Sequence, residues 1–500
     1  MKKYLFFRVL RSIVSIFLVT TIAYIMVFSM VPRRDIFKQD PMIQKLANDP
    51  DSLTDYKENA YRKMNYIDYF DTKSLIAKVE AEHPDAKVTT AHTAANAKLF
   101  KEWANDNGYK LNRYSVSKNY YVTRELPLLE RLGRFYGNLI QIDTPWAIHD
   151  KSNPKLARYL RIENDKTVGW AVVGSGTRYR YQIYFNGSFP FIHQNIIKFN
   201  LGTSYPTFAG NAVTDVIGGR QGQTVSTKYK FPNGQVMNTA DNVYTRQYQS
   251  PSRRNQMSYE RYEDDYTNVD QVNQDPSMIG TSVRAGFWAL ILSYVIGIPI
   301  ALGMARLKGK WFDRLFTGVV TVLMAVPGLA LIYTFRYVLS VAGAPDSFPT
   351  KGASAFSSWV GPTVVLALLS VSGIVIWFRR YMVDQQQSDY VKFAKSKGLT
   401  DREIYRKHIF KNASIPVVQG IPGNIIGLIS GAMMTETVFA MPGMGKMLPD
   451  SIIAHNNSVV IALVFIFTTI GVFSVLLGDV LMSIVDPRIQ LAVSGDEQNG

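Results

Sequence analysis

Cysteine is missing from all 500 residues. No disulfide can brace any part of this chain, and thiolate metal sites and cysteine nucleophiles are excluded with it. Histidine is scarce, with six in all. His83, His92, His149 and His193 stand apart from one another without an H-E-x-x-H, so no metal site is expected. The G-x-S-x-G turn of serine hydrolases is also lacking. A phosphate-cradling P-loop needs G-x-x-x-x-G-K-[ST]. The only Gly-Lys pairs, Gly309-Lys310 and Gly445-Lys446, run on into Trp311 and Met447. The chain is therefore expected to be no enzyme and to carry no cofactor. If ATP drives it, the motor is another polypeptide.

What the chain has in quantity is clustered apolar sequence. Its mean hydropathy of −0.02 hides this, because polar and apolar residues are segregated. A helix needs about 20 mostly apolar residues to cross a hydrocarbon core about 30 Å thick. Six stretches qualify, at roughly 9–31, 281–304, 315–341, 359–378, 417–440 and 459–485. Pro299, Pro327, Gly328, Pro362, Pro422 and Gly423 interrupt them, which neighbouring helices can compensate. Lys2, Lys3, Arg8 and Arg11 precede the first stretch like a signal peptide. Its apolar core is too long for one, however, and "VFSMVPRR" has no small-x-small cleavage site, so a retained span is expected.

The surplus of positive charge, +16 overall, could suggest a nucleic-acid binder. Its distribution argues for topology. Residues 33–280 hold 33 Lys+Arg against 27 Asp+Glu, and the rest 22 against 12. The excess lies in two short loops, Arg306–Arg314 and Arg379–Lys411, and short basic loops stay cytoplasmic. With the N-terminus inside, 32–280, 342–358 and 441–458 fall outside, and both basic loops and the C-terminal tail fall inside. Nucleic acid is not an expected partner.

The expected architecture has four parts: a first span (1–32), a large external α+β insertion (33–276), a helical membrane domain of five further spans (277–490) and a tail (491–500). About 240 residues suffice for the insertion to build its own core. Residues 73–83 and 93–107 read as helices, the second stopped by Gly108. "VGWAVVGSGTRYRYQIYF" reads as a hairpin around Gly174-Ser175-Gly176, and "VSTKYKFPNGQVMNT" as another with Asn233-Gly234 at its turn. The stretch 240–276 has few aliphatics and reads as linker or irregular wrap. Tyr184, Phe185, Phe189 and Phe191 are expected as core, or as a surface resting on the membrane.

The stretch 390–416, "YVKFAKSKGLTDREIYRKHIFKNASIP", lies between two spans. "YVKFAKSKG" reads as a short helix stopped by Gly398, and Thr400-x-x-Glu403 as a capping box that starts a second helix running to about Asn412, before Pro416. The result is a helical elbow with Phe393, Ile404, Tyr405 and Ile409 on one face. It is suited to docking on a partner and passing on a rigid-body motion. Glu436 is the one carboxylate deep in an apolar run, a site candidate by default, and it could instead pair with Arg336. Asp479 near the inner end of the last span has the same two readings. Asn424, Ser430 and Thr435 could line a polar path beside Glu436.

Ala394-x3-Gly398, His408 and Pro416 resemble the EAA loop of ABC-importer permeases, in the form found in the oligopeptide/dipeptide/nickel family. "TETVFAMPGMGKML" (435–448) is similar to that family's fifth-span exit, and "DVLMSIVDPRIQ" (479–490) to its C-terminal signature. "FRVLRSIVSIFLVTTIAYIMVFSMVP" resembles its first span, and "LGTSYPTFAGNAVTDVI" (201–217) its segment before the second. These cover about half the chain, and the enlarged external region resembles the Ami-type B permeases of Gram-positive bacteria. The resemblance implies an all-α, six-helix type I importer permease fold with the insertion between helices 1 and 2, in the cell membrane with both termini cytoplasmic. The function it implies is oligopeptide import. The implied partners are a second homologous permease, two P-loop ATPases that use ATP and Mg, a lipid-anchored peptide-binding protein, peptide and membrane lipid. Tyr390, Ala394, Gly398, Leu399, Thr400 and His408 would meet the ATPase or shape the bend, and Pro416 would set the entry to the fifth span. Dipeptide, nickel or sugar import and a membrane-anchored ligand sensor are the competing readings.

Overall fold

The computed structural model describes residues 2–84, 88, 92–187, 191–207 and 210–485. Phe189 and the last residues of the C-terminal signature, 486–490, lie outside them. The chain divides into two compact units, Met1–Lys38 with Ser277–Gly500, and Gln39–Pro276.

In the first unit the long apolar runs become helices because a bilayer leaves no other partner for their backbone groups. Phe6–Met30, Met278–Arg306, Phe356–Gln386 and Asn457–Val485 are long and apolar enough to cross a membrane. The expected third span, 315–341, is broken. Trp311–Ala325 and Gly328–Val341 meet at 110°. Pro327 explains the break: it lacks an N–H and drives Val326 out of the helical region, to ψ 127°. The expected fifth span is longer than its apolar run. The helix that starts at Asp401 continues to Gln419 and bends by 42° into Ile421–Val438. Among the described residues the unit thus holds four candidate spans, or up to six if each bent pair counts as one.

Met278–Arg306 packs along Phe356–Gln386, and the first helix packs along the last. An ion pair of 2.7 Å between Arg8 and Asp479 ties that second pair together. A bidentate pair at 2.6 and 2.7 Å joins Arg379 to Asp313, which also accepts the Gly309 N–H at 2.8 Å. It holds the basic turn before Trp311 to the end of Phe356–Gln386.

The second unit has two lobes. In the first, strands Ile67–Phe70, Tyr120–Glu125 and Lys110–Arg113 form an antiparallel sheet in that order. Helices Thr72–Glu82 and Ala94–Asp106 cover it, bringing Leu75, Val79, Phe100 and Trp103 into one core with Val122 of the sheet. Asp71 and Thr93 cap these helices, and Gly108 at φ +72° ends the second. Asp68 accepts from both Arg134 and Arg124, and these hydrogen bonds, Arg134's first, hold its carboxyl below the usual carboxylate range.

The second lobe is made from two excursions of the chain. Ile140–Ile142 pairs with Ile197–Phe199, and the Asp143 N–H reaches the Ile196 carbonyl at 2.7 Å, so residues 143–196 leave and return at one point. Gln221–Thr224 pairs with Asn273–Asp275 in the same way, and the Val225 N–H reaches the Val272 carbonyl at 2.8 Å. The first excursion carries a four-stranded antiparallel sheet of Tyr159–Asp165, Gly169–Ser175, Tyr181–Phe185 and Ile192–Gln194. Both expected hairpins are present, the second as Thr227–Lys230 with Val236–Thr239.

The stretch 240–276 is no linker. Val243 and Tyr262 sit in a core with Phe231, and Arg246 is 1% exposed. Arg246 donates to the Tyr266 carbonyl, the Tyr181 hydroxyl and Asp264, with its guanidinium 4.0 Å from the Tyr262 ring. Aromatic rings and one buried arginine supply the burial that aliphatics supply elsewhere, so a search for aliphatic runs passes over this stretch.

Candidate functional site

The elbow begins with the helix Asp389–Ser396. It ends because Gly398 takes φ +78°, which lets the Leu399 N–H reach back to the Ala394 carbonyl. A Cβ at Gly398 would meet nothing within 4 Å, so what this position demands is conformation, not space. Thr400 then restarts the chain: its hydroxyl accepts the Glu403 N–H, and the Glu403 carboxylate accepts the Thr400 N–H, a closed capping box.

Past the box, Ile404–Ile409 is a π-turn rather than plain α-helix, a widening frequent at functional sites. Two expectations change here. The second helix does not stop near Asn412; it passes through Pro416 and bends at Gly420, so Pro416 lies inside it. Nor do the four apolar residues share one face. Ile404 and Ile409 are buried with Ala394, Met304 and Phe378, while Phe393 is 60% exposed beneath the Lys397 ammonium. Tyr405 is half-buried and donates its hydroxyl to the Leu302 carbonyl at 3.2 Å. Tyr390 donates to Gln385 at 2.6 Å, with its ring 6.5 Å from that of His408.

The elbow is therefore fastened on its inner side and open on its outer side. Between it and the end of Met278–Arg306 lies a cleft of about 1040 Å³, whose lining includes Arg306, Gln386, Val391, Arg402 and Tyr405. The sequence reading missed Arg306 and Gln386 as cleft residues. The sequence signal was present in Arg306, a cation at the end of an apolar run, but it read only as topology. Lys392, Lys395, Arg402, Arg406 and Lys407 are exposed around the bend. The arrangement offers a rigid bent knob with a cationic rim to a complementary surface.

The polar path expected along the fifth helix is revised. Glu436 is 1% exposed and Thr435 2%. Glu436 accepts the Ser282 hydroxyl at 2.6 Å and the Lys446 N–H at 2.9 Å, and Ser282 accepts the Met444 N–H at 2.8 Å. The carboxylate thus caps the helix Met444–Ile453, whose N-terminal N–H groups favour an anion. A Cβ on Gly443 would lie 2.3 Å from this carboxylate, and one on Gly445 2.9 Å from it. Only glycines let the turn close over it. Arg336 is not its partner: it donates to the Val438 carbonyl at 2.7 Å and stands 3.8 Å from Asp346. Asn424 donates to Tyr294 at 2.7 Å. The Ser430 side chain lies outside the described residues. Among the described residues no group of three His, Asp or Glu could hold a metal ion.

Residues 297–491 match the family model described as the binding-protein-dependent transport system inner membrane component. The chain is 49% identical to the oligopeptide transport system permease protein AmiC of Streptococcus pneumoniae, over 99% of its own length and all of that protein's. It is 31% identical to the dipeptide transport system permease protein DppB of Lactococcus lactis, over 45% of its length and 74% of that relative's. A chain of the MetNI methionine ABC transporter, in an inward-facing form, overlays 41% of this chain and 93% of its own at a TM-score of 0.35 and 15% identity.

Proposed function

From the premise that the chain belongs to the binding-protein-dependent inner-membrane transport permeases, we propose that it is the permease subunit of an ATP-driven oligopeptide importer. Similarity to the pneumococcal oligopeptide permease runs through the whole length, while that to the dipeptide permease spans less than half of this chain, which favours oligopeptides as cargo. In this reading the chain crosses the membrane six times with both ends in the cytoplasm, each bent helix pair serving as one span. Residues 39–276 stand outside. A second permease completes the pathway, and two P-loop ATPases bind ATP and Mg.

The observation that carries the mechanism is the elbow, a left-handed glycine followed by a closed capping box. ATP binding draws the ATPases together. A partner seated on the exposed side of Asp389–Ser396 moves the elbow, and because Ile404 and Ile409 are buried with Met304 and Phe378, two long helices move with it. No side chain need select the cargo, since a peptide backbone can be held without reading its side chains.

The test is co-purification from membranes with mass identification of partners, followed by Gly398→Val. A β-branched residue at φ +78° costs about 1–2 kcal/mol at the turn. The variant is expected to assemble with its ATPases yet lose most labelled-peptide uptake while ATP hydrolysis persists. A chain that purifies with neither ATPases nor a second permease would overturn the reading, as would coupled uptake unchanged in the variant.

A further inference from the structure

The four-stranded sheet of the second lobe buries one face only. Its inner face carries Ala171, Val173, Tyr181 and Tyr184 into the core. On the other face strand pairing sets Ile162 opposite Val172, Trp170 opposite Asn164, Val172 opposite Ile183, and Phe185 opposite Ile192. Ile162 is 74% exposed, Trp170 61%, Ile192 57%, Phe185 53% and Leu160 47%. Scattered exposed apolar residues need no explanation. These five share one face of one sheet.

Together they leave on the order of 600 Å² of apolar surface open, the upper end of the roughly 300–600 Å² of a monomer's largest patch. That approaches the roughly 800 Å² per partner of a stable protein interface. The face has no formal charge, its polar members being Asn164 and Gln194. Arg161, Glu163 and Arg180 lie off it and bond among themselves. Depletion of charge with aromatics at the centre is the composition of an interface core. Lipid is the competing occupant for an apolar face that carries a tryptophan, and the vesicle arm of the test below separates the two.

The lobe that bears it lies wholly outside residues 297–491, which match the family model, yet it falls within the full-length likeness to the oligopeptide permease. The family is named for its dependence on a binding protein. We propose that this sheet face is a docking surface for the extracytoplasmic peptide-binding protein, which would present an uncharged apolar patch to it. The inference rests on the importer reading and adds to it a contact site outside the permease core. Buried Asp143 fixes the sheet to the ribbon where the first excursion leaves and returns, accepting from the Arg178 and Tyr179 N–H groups and from Gln182 Nε2 at 2.7, 2.9 and 2.8 Å. A protein held on the face is thus held by a braced element.

The test uses the full transporter in nanodiscs and the peptide-binding protein of the same cells, made without its lipid anchor. Ile162→Asp and the double variant Ile162→Asp/Trp170→Ser are compared with wild type by surface plasmon resonance, and peptide uptake is followed in cells. Both positions are largely exposed, so thermal unfolding is expected to stay unchanged, and this is measured alongside. At least tenfold weaker binding in the double variant, with uptake reduced at low peptide concentration, supports the proposal. Equal binding and uptake overturn it, and they do so too if the variant instead loses adhesion to vesicles of zwitterionic and anionic lipid or loses self-association by light scattering. A wild-type transporter that takes up peptide without binding this protein overturns the docking site alone. One that takes up no peptide and binds no such protein overturns the importer reading with it.

Discussion

Glu436 shows what a single carboxylate can do in an apolar helix. Its oxygens accept from Ser282 and from the Lys446 N–H, and the chain closes over it at Gly443 and Gly445. Removing the charge leaves buried donors without their acceptor, at a cost of about 1–3 kcal/mol. Glu436→Ala is therefore expected to lower the yield of folded protein and its unfolding temperature in detergent. Gly443→Ala is expected to do the same by steric overlap, whereas Gly427→Ala, whose added Cβ would meet nothing within 4 Å, is expected to leave both nearly unchanged. Normal folding of Gly443→Ala would show that the cap is not closed as described. From sequence, Glu436 was legible as an anomaly, but its partner was not. Ser282 lies 154 residues away, and no local spacing relates the two.

At the scale of elements, local rules were reliable where the cause was local. Gly398, the Thr400–Glu403 box and the two hairpins formed because their turn chemistry is complete within a few residues. They failed where one element answers to another. Pro416 should have ended a helix, and the helix runs on to Gln419. Arg8 and Asp479, read apart as part of a signal-like basic run and as an ambiguous carboxylate, form one ion pair between the first and last helices. Breaking such a pair leaves an uncompensated charge, while replacing both partners by apolar residues need not destabilise. Arg8→Met and Asp479→Leu are each expected to lower the thermal stability of the detergent-solubilised chain, and the double variant to recover much of the loss. Additive losses in the double variant would mean that the pair contributes no coupling.

For the whole molecule, the second unit predicts a response to acid. Hydrogen bonds from Arg134 and Arg124 hold the Asp68 carboxyl down. Asp150 is held at about 2, chiefly by the Ser152 hydroxyl and N–H. Asp51 also falls to about 2, because the Val116 and Ser117 N–H groups and neighbouring hydroxyls outweigh the upward push of desolvation. Folded values below those of the unfolded chain, near 3.9 for Asp, give stability that is complete above about pH 5 and lost as pH falls toward 2. Tyrosine fluorescence during thermal unfolding of the full chain should show a flat unfolding temperature from pH 7 to 5 and a fall below 4. Asp51→Asn is expected to lower the plateau and flatten the fall. An unfolding temperature that rises below pH 4 would contradict this.

By itself the sequence determined that the chain has long apolar helical runs, a separate polar unit and an elbow, and its motifs resembled those of importer permeases. Hydrophobic run length, loop charge and turn chemistry are each carried by contiguous residues, so they can be read along the chain. Only the tertiary structure decided that 240–276 sends Val243, Arg246, Tyr262 and Tyr266 into a core, that Glu436 is a cap, that the third apolar run is two helices at 110°, and that the second lobe leaves one sheet face open. Each of these depends on which distant surfaces meet. Arg246 lies in a stretch that reads as linker or irregular wrap until Tyr181, Tyr262 and Asp264 close around it, and no local pattern marks the face of Ile162 as the exposed one.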